Sequence, residues 1–452
     1  MTILADLEPL TLALIFFIVL FVAFATGYHI AFAIGFSGLL LGILTLGPNA
    51  TLTMIYHSGF KQILNYPLLC LPMFLFMGIM LGYSGVADAL YEAFYVILGR
   101  LKGGLAMGTV ILGALIAACL GVIAASVAML TVVSLEPMLK RGYNKSLATG
   151  TICASGSLGI LIPPSVLLVL YGPLANISVG KLFMGAFGPG FMLAGLYCIY
   201  IGIRCLLQPK IAPAAPAGEI QVPWTRKLTM LLSSLVPPVV LIFSVLGVIF
   251  LGIAPPTEAA AVGATASILL AVAKRKFKWA ILKRVLLEAS RTTGFIWLLM
   301  FFSVGSTAVF MRLGCGDAVG AFILAGPGGK WGMFAMVHLL IFILGMFMGW
   351  LPILFIIIPI ITPLVEIMGF DPVWFALMIC VNFQMAFMTP PMAIAIFSLK
   401  GALASRPELG VKTMDIIKGV YPFVAIVAVG MALCIKFPQI IMWLPNQMIQ
   451  PW

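Results

Sequence analysis

The chain contains uncharged stretches far longer than a soluble fold needs. Between Glu8 and Lys61 there are 52 consecutive residues without Asp, Glu, Lys or Arg. Only 8% of all residues are charged, whereas soluble domains carry about 25% charge. A water-soluble fold is therefore excluded, and the apolar runs have room for roughly ten spans at about 20 residues each. We predict an all-α polytopic membrane protein.

The rest of the composition argues against several classes of function. The 25 Lys and Arg exceed the 13 Asp and Glu, but they lie at the ends of apolar runs, where they set topology rather than bind nucleic acid. The eight cysteines and three histidines are scattered, without a CxxC pair. We therefore expect no enzymatic activity, no cofactor, no metal cluster and no nucleic-acid partner.

The chain divides into two halves that repeat the same order of segments. A polar, proline-rich stretch at 209–226 is the clear linker, between a first repeat at 1–208 and a second at 227–452. GILIPPSV in the first half aligns with AFMTPPMA in the second at an offset of 227 residues. Because each half has five predicted crossings, an odd number, the second repeat is predicted to be inverted relative to the first.

Two segments in each half have lengths that simple helices do not explain. The 33 uncharged residues between Lys102 and Glu136 are flanked by basic residues on both sides, which indicates a re-entrant hairpin at about 103–140. Its counterpart is predicted at about 331–366. Prolines and glycines indicate broken helices at about 146–177 and about 372–404, each interrupted near the middle of the membrane.

The hairpin tips and helix breaks are the candidate functional segments. We place the tips at 121–126 and 345–352, and the breaks at 155–164 and 382–391. Thr389 is predicted to cap the second half-helix, with Pro390 at its first position. Half-helix N-termini favour anions, and unwound carbonyls and hydroxyls suit Na⁺. These segments contain no Asp, Glu, Lys or Arg, which favours neutral Na⁺ ligands over a proton relay.

The distribution of basic residues predicts the orientation. With the N-terminus outside, 20 of the 25 basic residues fall on the cytoplasmic side, in accord with the positive-inside rule. Both termini are then external and the linker is cytoplasmic. The amphipathic stretches 51–66 and 274–288 are predicted to lie in the lipid interface.

Four strings carry a family resemblance. They are LATGTICASGSLGILIPPSVLLVLYGPLANISVGKLFMGAFGPG at 147–190, APPTEAAAVGA at 254–264, NFQMAFMTPPMAIAIFSLKG at 382–401 and VKTMDIIKGVYPF at 411–423. They resemble the large membrane subunit of tripartite ATP-independent periplasmic (TRAP) transporters. The resemblance implies a Na⁺-driven, elevator-type permease of the bacterial inner membrane with periplasmic termini. It also implies a small four-helix membrane subunit and a periplasmic binding protein as partners, and a small organic anion, carboxylate or sulfonate, as substrate.

Carried over to this chain, the family's Na⁺ sites fall on the tips and breaks. The first-half set is Gly121, Ala125, Ser126, Ser155, Gly156, Ser157, Gly159 and Pro163. The second-half set is Gly345, Gly349, Trp350, Asn382, Gln384, Met388, Thr389 and Pro390. Substrate contacts are expected at Ser126, Ser157, Pro164, Ser165, Asn382 and Thr389. Many relatives have an SGSS-like first tip, whereas Ser126 is the only hydroxyl residue of this one.

Other classes stay open at this stage. One alternative is an ion- or proton-coupled anion transporter or antiporter that works without a binding protein. A channel or antiporter would usually need intramembrane charges, and a membrane enzyme would need a catalytic constellation that the sequence does not offer. The particular anion is not readable, because in such systems the binding protein largely selects it.

Overall fold

The computed structural model is built of helices, and it describes residue 4, residues 6–214 and residues 222–448, without the side chains of 117–119. The predicted linker lies partly outside these residues, as do both ends of the chain. The first half contains α1 (Pro9–Ala25), α2 (Ile30–Leu46), α3 (Pro48–Ile63), α4 (Cys70–Tyr83), α5 (Val86–Leu98), α6 (Gly104–Leu120), α7 (Ile123–Leu130), α8 (Glu136–Lys140), α9 (Lys145–Ser157), α10 (Val166–Ala175) and α11 (Val179–Leu207).

The second half is helical as well. It contains α12 (Trp224–Phe250), α13 (Pro256–Ala273), α14 (Trp279–Arg312), α15 (Cys315–Leu324), α16 (Gly329–Met348), α17 (Trp350–Ile367), α18 (Pro372–Met388), α19 (Ile394–Leu403), α20 (Thr413–Lys436) and α21 (Gln439–Met442). Within the described residues, nine helical stretches are at least 18 residues long and apolar enough to span a bilayer. The prediction of an all-α polytopic membrane protein is confirmed.

Short polar side chains begin several of these helices. The Asn144 side chain accepts hydrogen bonds from the amides of Ser146 and Leu147 at the start of α9. Asp371 accepts from the Trp374 amide at 2.9 Å at the start of α18. Such caps satisfy amides that a helix N-terminus leaves without an internal partner. They fix where the two helices that lead into the predicted breaks begin.

Packing sorts most of the helices into two groups. In the frame group (α1–α4 and α12–α14), α14 packs against α2, α3 and α4, and α13 packs against α4 and α12. In the hairpin group (α6–α11 and α16–α20), α9 packs against α6 and α20, and α18 packs against α16 and α20. The groups meet where α14 contacts α17, where α4 contacts α6 and α10, and where α12 contacts α6 and α11. The predicted tips and breaks all belong to the hairpin group.

Prolines inside spanning helices free carbonyls that other helices then satisfy. Pro237 lies within α12 and has no N–H, so the Ser233 carbonyl lacks its usual partner four residues later. Lys274 Nζ donates to this oxygen at 3.1 Å. This contact joins the middle of α12 to the end of α13.

The amphipathic stretch 274–288 does not form a helix of its own. Most of this stretch belongs to α14, one continuous helix of 34 residues. At about 1.5 Å per residue the helix is about 51 Å long, well beyond the roughly 30 Å of a hydrocarbon core. No proline interrupts it. In the first half, α3 ends before Pro67 and α4 begins after it.

Candidate ion and substrate site

The first hairpin tip packs directly on the first helix break. α6 ends at Leu120 and α7 begins at Ile123, so the turn consists of Gly121 and Val122. Gly121 has φ +61°, and a β-carbon there would lie 3.4 Å from the Pro164 oxygen and 3.3 Å from the Val166 nitrogen. Only glycine combines this left-handed conformation with so close an approach at low cost.

The first break lies between α9 and α10. α9 ends at Ser157, a 3-10 turn covers Leu158–Ile160, and α10 begins at Val166. Gly159 thus lies in the 3-10 turn, and Pro163, Pro164 and Ser165 lie in the non-helical part. The bonds Pro163–Pro164 and Pro390–Pro391 are both cis. All residues of this break are buried.

Serine hydroxyls around the first break donate to backbone oxygens. Ser155 Oγ donates to the Thr151 oxygen at 2.6 Å and Ser157 Oγ to the Ala154 oxygen at 2.8 Å. Ser126, in α7, donates to the Val122 oxygen at 3.0 Å. A hydroxyl has one proton and two lone pairs, so each oxygen keeps lone pairs that can coordinate a cation. Ala125, in contrast, is exposed and offers no side-chain oxygen.

The second tip and break are joined by a backbone hydrogen bond. Gly349, with φ +74°, forms the turn between α16 and α17, and Trp350 is the first residue of α17. A β-carbon at Gly349 would lie 3.1 Å from Ile394 Cδ1, at the start of α19. The Met392 amide of the break donates to the Met346 oxygen of α16 at 2.9 Å.

The structure corrects the predicted extent of this second site. Gly345 lies within α16 and not at the tip. A β-carbon at Gly345 would lie 2.7 Å from Ala386 Cβ. Asn382, Gln384 and Met388 lie within α18, which remains helical to Met388. The unwound segment therefore begins only at Thr389.

The prediction that Thr389 caps the second half-helix is also wrong. Thr389 is the C-cap of α18, with φ −99° and ψ 128°, and its Oγ1 donates back to the Met385 oxygen at 2.8 Å. The residue before a proline is sterically driven out of the helical region, so Pro390 sets where α18 ends. α19 begins at Ile394, after Ala393.

Asn382 and Gln384 do not face the same surroundings. Asn382 Nδ2 donates to the His338 oxygen of α16 at 2.7 Å. Gln384 is two residues further on, about 200° around the helix at 3.6 residues per turn. Its Oε1 and Nε2 are buried and have no hydrogen-bond partner among the described residues. The predicted second set thus divides between two faces of α18.

The two halves interlock through their hairpins. α7 of the first hairpin packs against α19, and α17 of the second packs against α10. Cys153 Sγ, in α9, donates to the Ala395 oxygen of α19 at 3.6 Å. Pro391 and Met392 of the second break are exposed, unlike the fully buried first break. The second break is therefore the more exposed of the two.

Sequence reasoning missed Thr151 as a candidate ligand. Its side chain is fully buried, and its Oγ1 has no hydrogen-bond partner in the described part of the chain. Thr151 lies four residues before Ser155 and so on the same face of α9. The four-residue spacing between Thr151 and Ser155 could have indicated it, but Thr151 lies outside the predicted break at 155–164.

A cavity of about 570 Å³ lies beside the first break, between α11 and α12. Its wall includes Pro163 and is otherwise made of apolar residues such as Met184, Phe187 and Leu246. An organic anion needs placed polar groups as well as space. This cavity offers none, so we do not assign it to the substrate.

Together these features define a class of protein. An all-helical membrane protein with two tips packed on two helix breaks has the architecture of a secondary transporter. The solved structure of the Alcanivorax borkumensis YdaH transporter has a similar fold, with a TM-score of 0.62 at 16% identity, covering 89% of this chain and 91% of that one.

The family follows from the sequence match. The family model of the tripartite ATP-independent periplasmic transporter, DctM component, matches residues 17–440, and the chain belongs to this family. It is 28% identical to the C4-dicarboxylate TRAP transporter large permease protein DctM of Vibrio cholerae, over 94% of this chain and 95% of that protein. It is 27% identical to the isethionate TRAP transporter permease protein DctMQ of Oleidesulfovibrio alaskensis, over 92% of this chain and 64% of that one.

Family membership fixes the general role of the chain. It is the large permease subunit of a TRAP transporter, a multi-pass protein of the inner membrane. Membership implies a periplasmic binding protein and a small membrane subunit as partners. The relatives are transport permeases and not enzymes.

Proposed function

We propose that this chain is the permease subunit of a Na⁺-coupled uptake system for a small organic anion, which a periplasmic binding protein delivers. The observation that carries the proposal is the cluster of two tips and two breaks, which is rich in neutral oxygens. The names of two relatives mention a C4-dicarboxylate and isethionate, a carboxylate and a sulfonate. These names support a small anion as the substrate class.

The chemistry of the cluster favours Na⁺ as the coupling ion. The first break offers the hydroxyl oxygens of Ser155 and Ser157, and α18 offers the Gln384 amide. In the described part of the chain, no group of three or more His, Cys, Asp or Glu could hold a metal ion. Neutral oxygen ligands suit a dehydrated alkali cation better than a proton relay.

The anion is expected at the second break. α19 begins at Ile394 beside the exposed residues Pro391 and Met392. A helix N-terminus presents free N–H groups and the positive end of the helix dipole to an anion. Ser126, Ser157, Pro164 and Ser165 are buried, so a solute would reach them only after the cluster opens.

We further propose an elevator mechanism in which the hairpin group moves against the frame group. Both tips and both breaks belong to the hairpin group, so the site would travel as one unit. The sliding surface would be the contacts of α14 with α17, of α4 with α6 and α10, and of α12 with α6 and α11. Packed interfaces change between discrete arrangements rather than deform continuously.

One observation favours the alternative of proton coupling. His338, in α16, is buried, and its Nδ1 lies 2.9 Å from the Phe334 oxygen. Its Nε2 has no hydrogen-bond partner among the described residues, so it could accept a proton. The same residue's backbone oxygen accepts from Asn382. Protonation of His338 is thus a second route by which hairpin movement could be driven.

Reconstituted uptake separates the two functions. The permease and its small subunit are placed in proteoliposomes with the cognate binding protein and its ligand outside. Under the proposal, an inward Na⁺ gradient drives uptake only when the binding protein is present, and His338→Gln retains that uptake. Uptake from a pH gradient alone in Na⁺-free buffer, abolished by His338→Gln, would establish the alternative instead.

A further inference from the structure

A hydrogen bond crosses from the frame group to the second hairpin. Pro359 lies inside α17 and has no N–H, so the Phe355 carbonyl four residues earlier lacks its usual helix partner. Thr307 Oγ1, in α14, donates to this oxygen at 3.1 Å. Thr307 is 5% exposed and Phe355 is fully buried. A frame helix thus satisfies a carbonyl that a proline has freed in the hairpin group.

A second hydroxyl lies one turn along the same face of α14. Ser303 is four residues before Thr307, so the two side chains lie one above the other on the helix. Ser303 is fully buried, and its Oγ has no hydrogen-bond partner among the described residues. Buried hydroxyls nearly always have a partner. The Ser303 hydroxyl is therefore not explained by a hydrogen bond to the described residues in this conformation.

We propose that Ser303 and Thr307 are alternative donors to the Phe355 carbonyl and fix two positions of the second hairpin along α14. The inference rests on the proposed movement of the hairpin group against the frame. A shift of about 6 Å, four residues at about 1.5 Å each, carries the carbonyl from Thr307 to Ser303. Steps of about one helical turn between packed elements are a known form of switching.

The predicted topology gives the shift a direction. α14 runs from the basic, cytoplasmic end of the second repeat toward Arg312 on the outer side, so Ser303 lies nearer the cytoplasm than Thr307. The position in this structure is therefore the outer one of the two. Both residues act as positioning residues, because they hold the hairpin and touch neither ion nor solute.

The neighbouring residue provides a matched control. Ser306 Oγ donates to the Ile34 oxygen of α2 at 2.9 Å, so it makes the same kind of bond wholly within the frame group. Removing this hydroxyl by Ser306→Ala costs a buried hydrogen bond without touching the hairpin. Thr307→Val removes the crossing bond at nearly constant shape, and Thr307→Ser keeps the hydroxyl.

The test measures the populations of the two hairpin positions. Spin labels are placed on cysteines at Ile253, between α12 and α13, and at Ile367, at the end of α17, which are 67% and 66% exposed. The background lacks reactive native cysteines, and the permease is reconstituted with its small subunit at fixed Na⁺ without solute. Double electron–electron resonance then gives the distance distribution for each variant.

The variants have opposite expected effects. Thr307→Val lowers the ratio of outer to inner position by about two- to tenfold, the range of one net hydrogen bond, and Ser303→Ala raises it by a similar factor. Ser306→Ala and Thr307→Ser leave the ratio near that of the parent protein. Thermal melting of each variant shows whether it folds. If Thr307→Val does not fold, the comparison of Ser303→Ala with Thr307→Ser, as two separate variants, still tests the inference.

Three results would overturn the inference: one distance in every variant, shifts of the same sign for Thr307→Val and Ser303→Ala, or no shift for either. The outcome is independent of ion coupling. Opposite shifts in a protein whose uptake ignores Na⁺ would remove the proposed function alone. Na⁺-coupled uptake with unshifted populations would remove this inference alone.

Discussion

Gln384 differs from Asn382, the other amide in α18, because neither of its polar side-chain atoms makes a hydrogen bond to the described residues. Both of its polar side-chain atoms are buried without a partner among the described residues. Leaving such a group unpaired costs about 1 to 3 kcal/mol. The Asn382 amide, in contrast, is engaged with the His338 oxygen at 2.7 Å. An unpaired buried amide in α18, five residues before Thr389, is explained if it binds an ion.

The variant Gln384→Met therefore tests whether Gln384 binds Na⁺ or only supports the structure. The change keeps the length of the side chain and removes the amide, so thermal stability in Na⁺-free buffer should stay equal or rise. The Na⁺ concentration for half-maximal uptake should increase roughly five- to 150-fold, as expected from about 1 to 3 kcal/mol. Sodium titration of uptake, normalised to folded complex, measures this. A stable variant with the parental Na⁺ dependence would exclude Gln384 from the ion site.

The sequence analysis predicted that Asn382 and Gln384 lie in the unwound segment, whereas both lie within α18. The Pro–Pro pair marks a break, and the sequence does not show on which side of the prolines the helix unwinds. The steric effect of Pro390 acts on Thr389, so α18 continues through both amides. The relative directions of the Asn382 and Gln384 side chains can be derived only when α18 is known to be unbroken at these residues.

At the scale of elements, the turn at Gly121 determines how closely the first hairpin approaches the first break. Its β-carbon position is 3.4 Å from the Pro164 oxygen. Gly27, in the turn between α1 and α2, has a similar φ of +84° but no atom within 4 Å of its β-carbon position. Both glycines have a positive φ, but only Gly121 has neighbouring atoms close to its β-carbon position.

Gly121→Ala and Gly27→Ala should therefore share the backbone strain and differ in transport. Each variant adds about 1 to 2 kcal/mol for a β-carbon in the left-handed region, so both should lower thermal stability, and Gly121→Ala should lower it further because its β-carbon also crowds Pro164 and Val166. Only Gly121→Ala should also lose most of its Na⁺-coupled uptake, because the tip can no longer seat on the break. Melting curves and uptake rates on the same preparations test this. Equal uptake in the two variants would argue against a functional tip.

Several element boundaries followed from the sequence, and others needed the tertiary structure. The turns at Gly121 and Gly349 lie within the predicted tips, because glycine and proline punctuate these apolar runs. The continuity of α14 was missed, because its charged first part and apolar second part look like two elements. A helix ends where its backbone is interrupted and not where its polarity changes.

At the scale of the whole molecule, the orientation rests on the predicted 20 of 25 basic residues on the cytoplasmic side. A cysteine at Ala217, in the predicted linker, should be protected from a membrane-impermeant thiol reagent in intact cells. A cysteine at Ile253, in the exposed turn between α12 and α13, should react in the same background without reactive native cysteines. The reverse labelling pattern would overturn the predicted orientation.

The central claim is that solute entry is coupled to Na⁺ entry through the neutral oxygens of the hairpin group. The most direct measurement is radioactive sodium uptake into proteoliposomes that contain the permease and its small subunit, without a pH gradient. Ligand-loaded binding protein should stimulate sodium entry in the parent protein and much less in Gln384→Met. Solute accumulation without any accompanying sodium entry would contradict the account.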